Sequence, residues 1–423
     1  MNEENEKFLE KLRSIGSRFG TECERELLHL LGDPQDKLRF IHVAGTNGKG
    51  SFCAMTDSIL RKEGYKVGLY TSPYIVVFND RIRVDGSPIS DEDLDELFEK
   101  VRKKAETMKI LPSSFDFITA AAFLWFYETK CDIVVLEVGL GGRYDSTNVI
   151  KNSLLSVITG VALDHTEILG DTVEKIAWEK AGIVKEGCPT LYGGNDEKAL
   201  RVIGKECEEK HSCLTVTDLS GVRLKSATLG GTRFEFGGKE HFIGLLGLYQ
   251  PRNAAVVLTA TDILRNNGIK ISDSAVESGL AEAIWQARFE RLASDPTVIY
   301  DGGHNPQGVR AAVESVKAYF GDRRIDLLVG ILADKNYSEM VKTLSVIAEN
   351  VTCITPPSPR ALPAETLAEE FRKEGLNAVA AQSIEEGVRT ALSRKRDLLA
   401  IGSLYSYGAI ADNVRKAQKG TAE

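Results

Sequence analysis

The sequence predicts a two-domain α/β protein. The expected parts are an N-terminal parallel-sheet domain with a P-loop-type turn and a small antiparallel β element, followed by a C-terminal Rossmann-like α/β domain. Three observations predict this. Short β-branched runs alternate with longer runs whose apolar residues recur every three or four places, the pattern of strands crossed over by helices. A glycine-rich turn, GTNGKGS at residues 45–51, joins the first such strand to a helix. The alternation lapses into a period of two over residues 221–247 and restarts near residue 297. A chain of 423 residues is also longer than one compact core usually supports.

Taken in order, RFIHVAG reads as a strand ending in the glycine turn. SFCAMTDSILRKEG reads as a helix closed by Gly64. KVGLYTS is the next strand, FDFITAAAFLWFYETK a helix, and CDIVVLEVG a fully buried strand. SLLSVITGVAL is another strand and DTVEKIAWEKAGIVKEG another helix. VRLKSATLGGTRFEFGGKEHFIGLLG alternates apolar and polar residues around two Gly-Gly turns, which predicts antiparallel hairpins. PRNAAVVLTATDILRNNG is helical, and AIWQARFERLASDPTV reads as a junction. Beyond it VIYDGG, IDLLVGIL, NVTCITPP and DLLAIGSL are strands separated by helices. The expected domains are therefore 1–295 and 296–423.

Composition narrows the function. Net charge is −8 with no basic block, which argues against a nucleic-acid partner. The N-terminus is charged and lacks the apolar core of a signal peptide, and no apolar run reaches the length of a membrane helix. Seven scattered cysteines form no C-x-x-C pair, so free thiols in a reducing cytoplasm are expected.

The chemistry concentrates in five stretches. In GTNGKGS the glycines let backbone N–H groups approach phosphate oxygens, and the helix that follows adds the positive end of its dipole. The usual loop places its hydroxyl directly after the lysine; here Gly50 follows Lys49 and the hydroxyl arrives at Ser51. Lys49 supplies mobile positive charge and Ser51 a Mg²⁺ ligand. In LEVGLGGRYDSTN, Glu137 ends a buried strand, at the edge where α/β sheets bind ligands, and suits Mg²⁺ ligation. In GVALDHTEILG, Asp164 and His165 end another strand. A lone histidine is usually a satisfied core residue, but at the same edge as Glu137 a metal role is favoured. Lys180 lies among Glu174, Lys175 and Glu179 and by itself reads as a surface ion-pair residue. Arg288 in ARFE, and Asp301, His304 and Asn305 in DGGHNPQG, occupy the junction and the first strand end beyond it.

Assembled, these blocks resemble the folylpolyglutamate synthase/dihydrofolate synthase family of the Mur ligase superfamily. GTNGKGS, LGGR and EKAGI are specific as a set. TSP, FNDRIRVDG, FDFITAAAF, QPRNAA, ADKN and GSLY extend the match along nearly the whole chain. The resemblance implies an ATP-dependent amide ligase that joins L-glutamate to dihydropteroate or to reduced folates through an acyl phosphate. It implies that Gly45, Thr46, Asn47, Gly48, Lys49, Gly50 and Ser51 cradle the phosphates, with Lys49 on the γ-phosphate. Asn253, Arg288, Asp301 and His304 would complete the ATP site, the arginine and aspartate arriving on closure of the C-terminal domain. Ser51 and Glu137 would hold one Mg²⁺. His165 and a carbamylated Lys180 would hold a second, and K⁺ is a further candidate. Thr71, Ser72, Pro73, Phe78, Arg81, Asp145 and Ser146 fall on the folate side. The catalytic group implied is Lys49, His165, Lys180 and Arg288. Tyr74, Tyr144 and Ser146 depart from the common bacterial residues, which leaves open the balance between the two activities. A monomer is the family's default.

Two other readings are weaker. A cell-wall ligase of the same superfamily would need a nucleotide-binding domain ahead of the loop, where only about 40 residues stand. A nucleotide-binding regulator would have no use for Glu137, His165 and Lys180 together.

Overall fold

The computed structural model describes residues 1–16 and 20–420. In chain order the elements are α1 (Glu3–Ile15), α2 (Glu22–Leu30), β1 (Phe40–Ala44), α3 (Lys49–Glu63), β2 (Val67–Tyr70), β3 (Ile82–Val84), β4 (Ser87–Pro88), α4 (Asp91–Ala105), α5 (Ser114–Glu128), β5 (Ile133–Glu137), β6 (Leu155–Ile158), α6 (Thr166–Leu169), α7 (Val173–Ala181), β7 (Thr190–Tyr192), α8 (Glu197–Glu209) and β8 (Leu214–Val216). They continue with β9 (Arg223–Thr228), β10 (Gly231–Phe236), β11 (Lys239–Ile243), α9 (Gln250–Asn266), α10 (Asp273–Glu282), β12 (Glu290–Ser294), β13 (Thr297–Asp301), α11 (Pro306–Phe320), β14 (Ile325–Val329), α12 (Tyr337–Ser345), β15 (Ala348–Cys353), α13 (Ala364–Lys373), β16 (Asn377–Ala380), α14 (Ile384–Leu392), β17 (Leu398–Ile401) and α15 (Tyr407–Gly420).

The chain divides into two compact units, residues 1–222 with 252–283, and residues 223–251 with 284–423. The first unit holds an eight-stranded sheet ordered β4-β3-β2-β5-β1-β6-β7-β8. From β2 to β8 its pairings are parallel, while β3 and β4 add an antiparallel edge. The central strands β1 and β5 are buried along their whole length, as continuous apolar runs sandwiched between helices must be. α5 is apolar nearly all round and is buried between the sheet and α1, α2 and α4: Phe117 meets Phe8 and Phe98 edge to face, and Phe123 meets Phe40 of β1 the same way. Its N-terminus is closed by a capping box: Ser113 accepts from the Asp116 N–H, and Asp116 accepts from the Ser113 N–H.

The second unit holds a six-stranded sheet ordered β12-β13-β17-β14-β15-β16 and a separate antiparallel sheet ordered β11-β10-β9. The expected hairpins over 221–247 are present as β9 to β11. They belong to this unit and not to the N-terminal part of the chain, where the reading of residues 1–295 put them. The Gly247 N–H donates to the Tyr319 hydroxyl at 3.0 Å and the Leu248 N–H to Ser315 Oγ at 2.9 Å, both on α11. The cut expected at 295/296 lies inside the second unit, in the turn of the β12–β13 hairpin. Strand β12 looked like linker because its sequence, ERLAS, is polar and only intermittently buried. Among the described residues no helix is long and apolar enough to cross a membrane.

Candidate active site

The glycine-rich turn leaves the end of β1 and enters α3 at Lys49, with Gly48 as the N-cap. Gly48 has φ +87°, and a Cβ there would lie 2.9 Å from Asn253 Oδ1, so both backbone hand and space require glycine. The turn is tied to the loop after β6. The Thr46 N–H donates to the Gly160 carbonyl at 2.9 Å, the Thr46 hydroxyl to the Ala162 carbonyl at 3.1 Å, and the Thr159 hydroxyl to the Asn47 carbonyl at 2.7 Å. Lys49 Nζ reaches back to the Gly45 carbonyl at 2.9 Å, spanning the turn. Gly50 and Ser51 lie in the first turn of α3, and Ser51 is buried. The loop is thus a rigid rim of N–H groups and one ammonium at a helix N-terminus, which is what a polyphosphate needs.

Glu137 ends β5 beside the end of β1, buried, and its Oε2 accepts the Ser72 N–H at 3.2 Å. Thr71, Ser72 and Pro73 therefore meet the same sheet edge. The segment after them folds on Asp80, whose Oδ2 accepts the N–H groups of Val76 and Val77 at 2.9 and 3.1 Å. Arg81 lies over the rings of Tyr74 and Phe78, 5.4 and 5.7 Å from their centroids. Its Nε and Nη1 are buried without a hydrogen-bond partner among the described residues. Buried donors left open in this way are costly unless an acceptor arrives.

Asp145 and Ser146 follow β5, at the start of the short 3₁₀ turn Ser146–Val149. Asp145 is buried; its Oδ2 accepts the Leu140 N–H at 2.9 Å and its Oδ1 the Thr147 N–H at 3.0 Å. Ser146 donates to Asp116 Oδ1 at 2.6 Å. Burial pushes the Asp145 carboxyl up, and the Thr147 hydroxyl is the strongest group pulling it back. Sequence reading missed the third carboxylate here, Glu24 of α2, which carries no motif and is fully buried. Burial raises its pKa well above 4.5, with the charges of Asp116 and Asp145 adding to the effect and Ser146 opposing it. Between 4.5 and that raised value the folded protein holds a proton the unfolded chain has lost, so stability falls as pH climbs through this window. Glu24→Gln keeps the shape and removes the titration. Its melting temperature should exceed the parent's by more at pH 8 than at pH 5; an equal offset at both would show a charged Glu24.

Lys180 corrects the reading from composition. It is not a surface residue but 4% exposed, on the inner face of α7. Burial, and secondarily the Lys49 charge, lowers its pKa to about 7, against the pull of Asp164, Glu179 and Asp145. Gly142 lets the loop after β5 lie flat on this helix: a Cβ there would sit 2.9 Å from the Glu179 carbonyl and 3.0 Å from that of Lys180. His165 follows the β6 loop with φ +49°, its N–H taken by Asp164 Oδ1 at 3.0 Å, and its ring is partly exposed.

Ser51 and Glu137 offer hard oxygen ligands, and magnesium-type ions combine one or two such groups with substrate phosphates, so the residues fit one divalent ion. No cluster of three His, Cys, Asp or Glu residues suited to a metal occurs among the described residues. Lys180, with its pKa lowered to about 7, would offer an anionic oxygen ligand for a second ion if it took up CO₂.

The second unit carries its own group at the end of β13. Arg288 is flanked by two non-glycine residues in the left-handed region, Ala287 at φ +58° and Phe289 at +47°. The strain is held by three bonds: Gly302 N–H to the Ala287 carbonyl at 2.8 Å, Phe289 N–H to Asp301 Oδ2 at 2.9 Å, and Ala287 N–H to Glu290 Oε2 at 2.8 Å. Asp301 also accepts from the Tyr249 hydroxyl at 2.9 Å and the Gly303 N–H at 2.7 Å. Burial pushes its carboxyl up and Arg288 pulls it back. His304 Nδ1 lies 2.9 Å from the Gly302 carbonyl. Tyr249 was outside every motif; only the fold brings it to Asp301.

Residues 287–402 match the family model described as Mur ligase, glutamate ligase domain. The chain is 41% identical over 366 residues to the dihydrofolate synthase/folylpolyglutamate synthase of Bacillus subtilis, covering 84% of this chain and 85% of that protein. It superposes with TM-score 0.87 on the folylpolyglutamate synthase of Thermotoga maritima, at 34% identity over 98% of this chain and 97% of the other. It superposes with TM-score 0.82 on the bifunctional folylpolyglutamate synthase/dihydrofolate synthase of Yersinia pestis complexed with AMPPNP and a Mn ion, at 28% identity over 98% and 97% of the two chains. The chain belongs to the folylpolyglutamate synthase/dihydrofolate synthase family of the Mur ligases.

Proposed function

We propose that the protein is an ATP-dependent ligase that adds L-glutamate to reduced folates and to dihydropteroate, with release of ADP and phosphate. The observation that carries this reading is the meeting, at one sheet edge, of a phosphate loop, the buried carboxylate Glu137 and the buried, near-neutral Lys180. The relative in Bacillus subtilis bears both synthase names, which favours both activities over folate extension alone.

In this reading the substrate carboxylate attacks the γ-phosphorus. A new O–P bond forms, the bond to the β-phosphate oxygen breaks, and ADP leaves. The glutamate amine then attacks the acyl carbon; the tetrahedral intermediate expels phosphate and the nitrogen loses its proton. The N–H groups of the glycine-rich turn, apart from that of Thr46, and the Lys49 ammonium hold the phosphates in line and offset the charge that builds on their oxygens. Two Mg²⁺ ions, held by Ser51 and Glu137 and by His165 and carbamylated Lys180, would polarise the same oxygens, with K⁺ as a further candidate. Arg81, Asp145 and Ser146 orient the pterin-linked substrate from the other side. Arg288, Asp301 and His304 serve the nucleotide and the departing phosphate. The protein would act as a cytoplasmic monomer on small molecules.

The test is a substrate panel: purified protein, ATP, Mg²⁺ and L-glutamate with dihydropteroate or a reduced folate. Phosphate release that depends on both glutamate and pterin is expected with each. No release with any pterin would end the reading, and release with folates only would end the dihydropteroate half.

A further inference from the structure

His42 is a buried titratable group outside this chemistry. His42 lies in β1, three residues ahead of Gly45, opposite Leu136 of β5 and Ser156 of β6, and is fully buried. A polar ring in a strand buried along its whole length needs a partner to offset its desolvation. It finds one in Thr147: His42 Nε2 lies 2.8 Å from Thr147 Oγ1. The Thr147 hydroxyl in turn donates to Asp145 Oδ1 at 2.6 Å.

Proton counting sets the direction of this chain. A hydroxyl has one proton, and the short bond to a carboxylate takes it. Thr147 must then accept from His42, so the ring carries its proton on Nε2. That leaves Nδ1 bare, in agreement with its being buried without a partner among the described residues. A second ring proton would have no acceptor. Burial, and secondarily the charge of Lys185, disfavours it further. The hydrogen bonds therefore run one way, from the strand that feeds the phosphate loop to the carboxylate on the folate side.

We propose that His42 is a positioning residue for the pterin-linked substrate: acting through Thr147, it fixes Asp145 as a rigid acceptor at the folate side of the site. The inference rests on the proposed ligase reading and adds to it a residue that makes no substrate contact. Asp145 also caps the short 3₁₀ turn at Ser146–Val149, so a purely structural role is the competing account. The two differ in which constant moves.

The experiment measures KM for the pterin substrate and for ATP in Thr147→Val, Thr147→Ser, His42→Phe and His42→Gln, with melting temperatures alongside. Loss of a hydrogen-bond chain to a charged acceptor should raise the pterin KM about tenfold in Thr147→Val and His42→Phe, with the ATP KM within about twofold. Thr147→Ser, which keeps the hydroxyl, should restore the pterin KM, and His42→Gln should restore part of it. Equal changes in both constants, no change in either, or failure of serine to rescue would overturn the proposal. A second arm needs no turnover. ¹⁵N-labelled imidazole spectra of the unliganded parent should show His42 as the neutral Nε2–H tautomer, and an Nδ1–H tautomer would overturn the relay. If the parent itself releases no phosphate with any pterin, the ligase reading falls, and the spectra still decide the relay.

Discussion

Lys180→Ala should lower turnover by on the order of a hundredfold or more, the scale of removing one preorganised electrostatic group from a transition state. Acetate or another short carboxylate should restore part of it. The reason lies in the surroundings of the amine. Lys180 is buried and held near neutrality, at about 7, by desolvation and by the neighbouring Lys49. A neutral amine can add to CO₂: the N–C bond forms, a C=O electron pair moves to oxygen, and the nitrogen loses a proton. The product is an anionic ligand where a cation stood. Because that proton is released, raising pH through 7 favours the carbamate. Protein stripped of CO₂ should therefore regain activity more fully at pH 8 than at pH 6 for the same dissolved CO₂. Near-normal turnover in the alanine variant, or no acetate rescue, would remove the carbamate from the mechanism.

Arg288→Ala should lower kcat by roughly a hundredfold while ATP affinity changes by less than about threefold, the signature of a group that acts on charge developing in the transition state. The backbone supports such a role. Two non-glycine residues in the left-handed region cost on the order of 1 kcal/mol each or more, and such strain persists only where the surroundings impose it. Here Asp301, Gly302 and Glu290 impose it by hydrogen bonds to Ala287 and Phe289, which fixes where the guanidinium begins. The guanidinium itself lies against Gly302, where a Cβ would approach Nη1 to 2.8 Å. Equal losses in turnover and in ATP affinity, measured by titration calorimetry, would make Arg288 a ground-state nucleotide ligand instead.

Much of this was legible in the chain because its signals are local. A strand–glycine–helix sequence with a lysine needs only neighbouring residues to declare itself, and GTNGKGS leads into α3 at Lys49 as expected. The hairpins declared themselves by alternation and by Gly-Gly turns. Strands β7, β8, β12 and β16 did not: all are only three to five residues long, and β8, β12 and β16 are also partly exposed. The hairpin sheet groups by contacts with the second unit, a partition that periodicity does not encode. The bonds from the turn after it, Gly247 and Leu248, to Tyr319 and Ser315 join residues more than sixty positions apart.

The same division applies to the site. The sequence by itself determined the glycine-rich turn between β1 and α3 and the residue types proposed for metal and phosphate, because each depends on residue type and short spacing. Only the tertiary structure decided that Lys180 is buried with its pKa lowered to about 7, that burial pushes the Glu24 carboxyl up, and that His42 reaches Asp145 through Thr147. Those properties arise from desolvation and from hydrogen bonds between segments up to about a hundred residues apart, as His42 and Thr147 are. A residue's charge state is set by what surrounds it in space, and nothing in the local spacing of EKAG separates a surface lysine from a buried one.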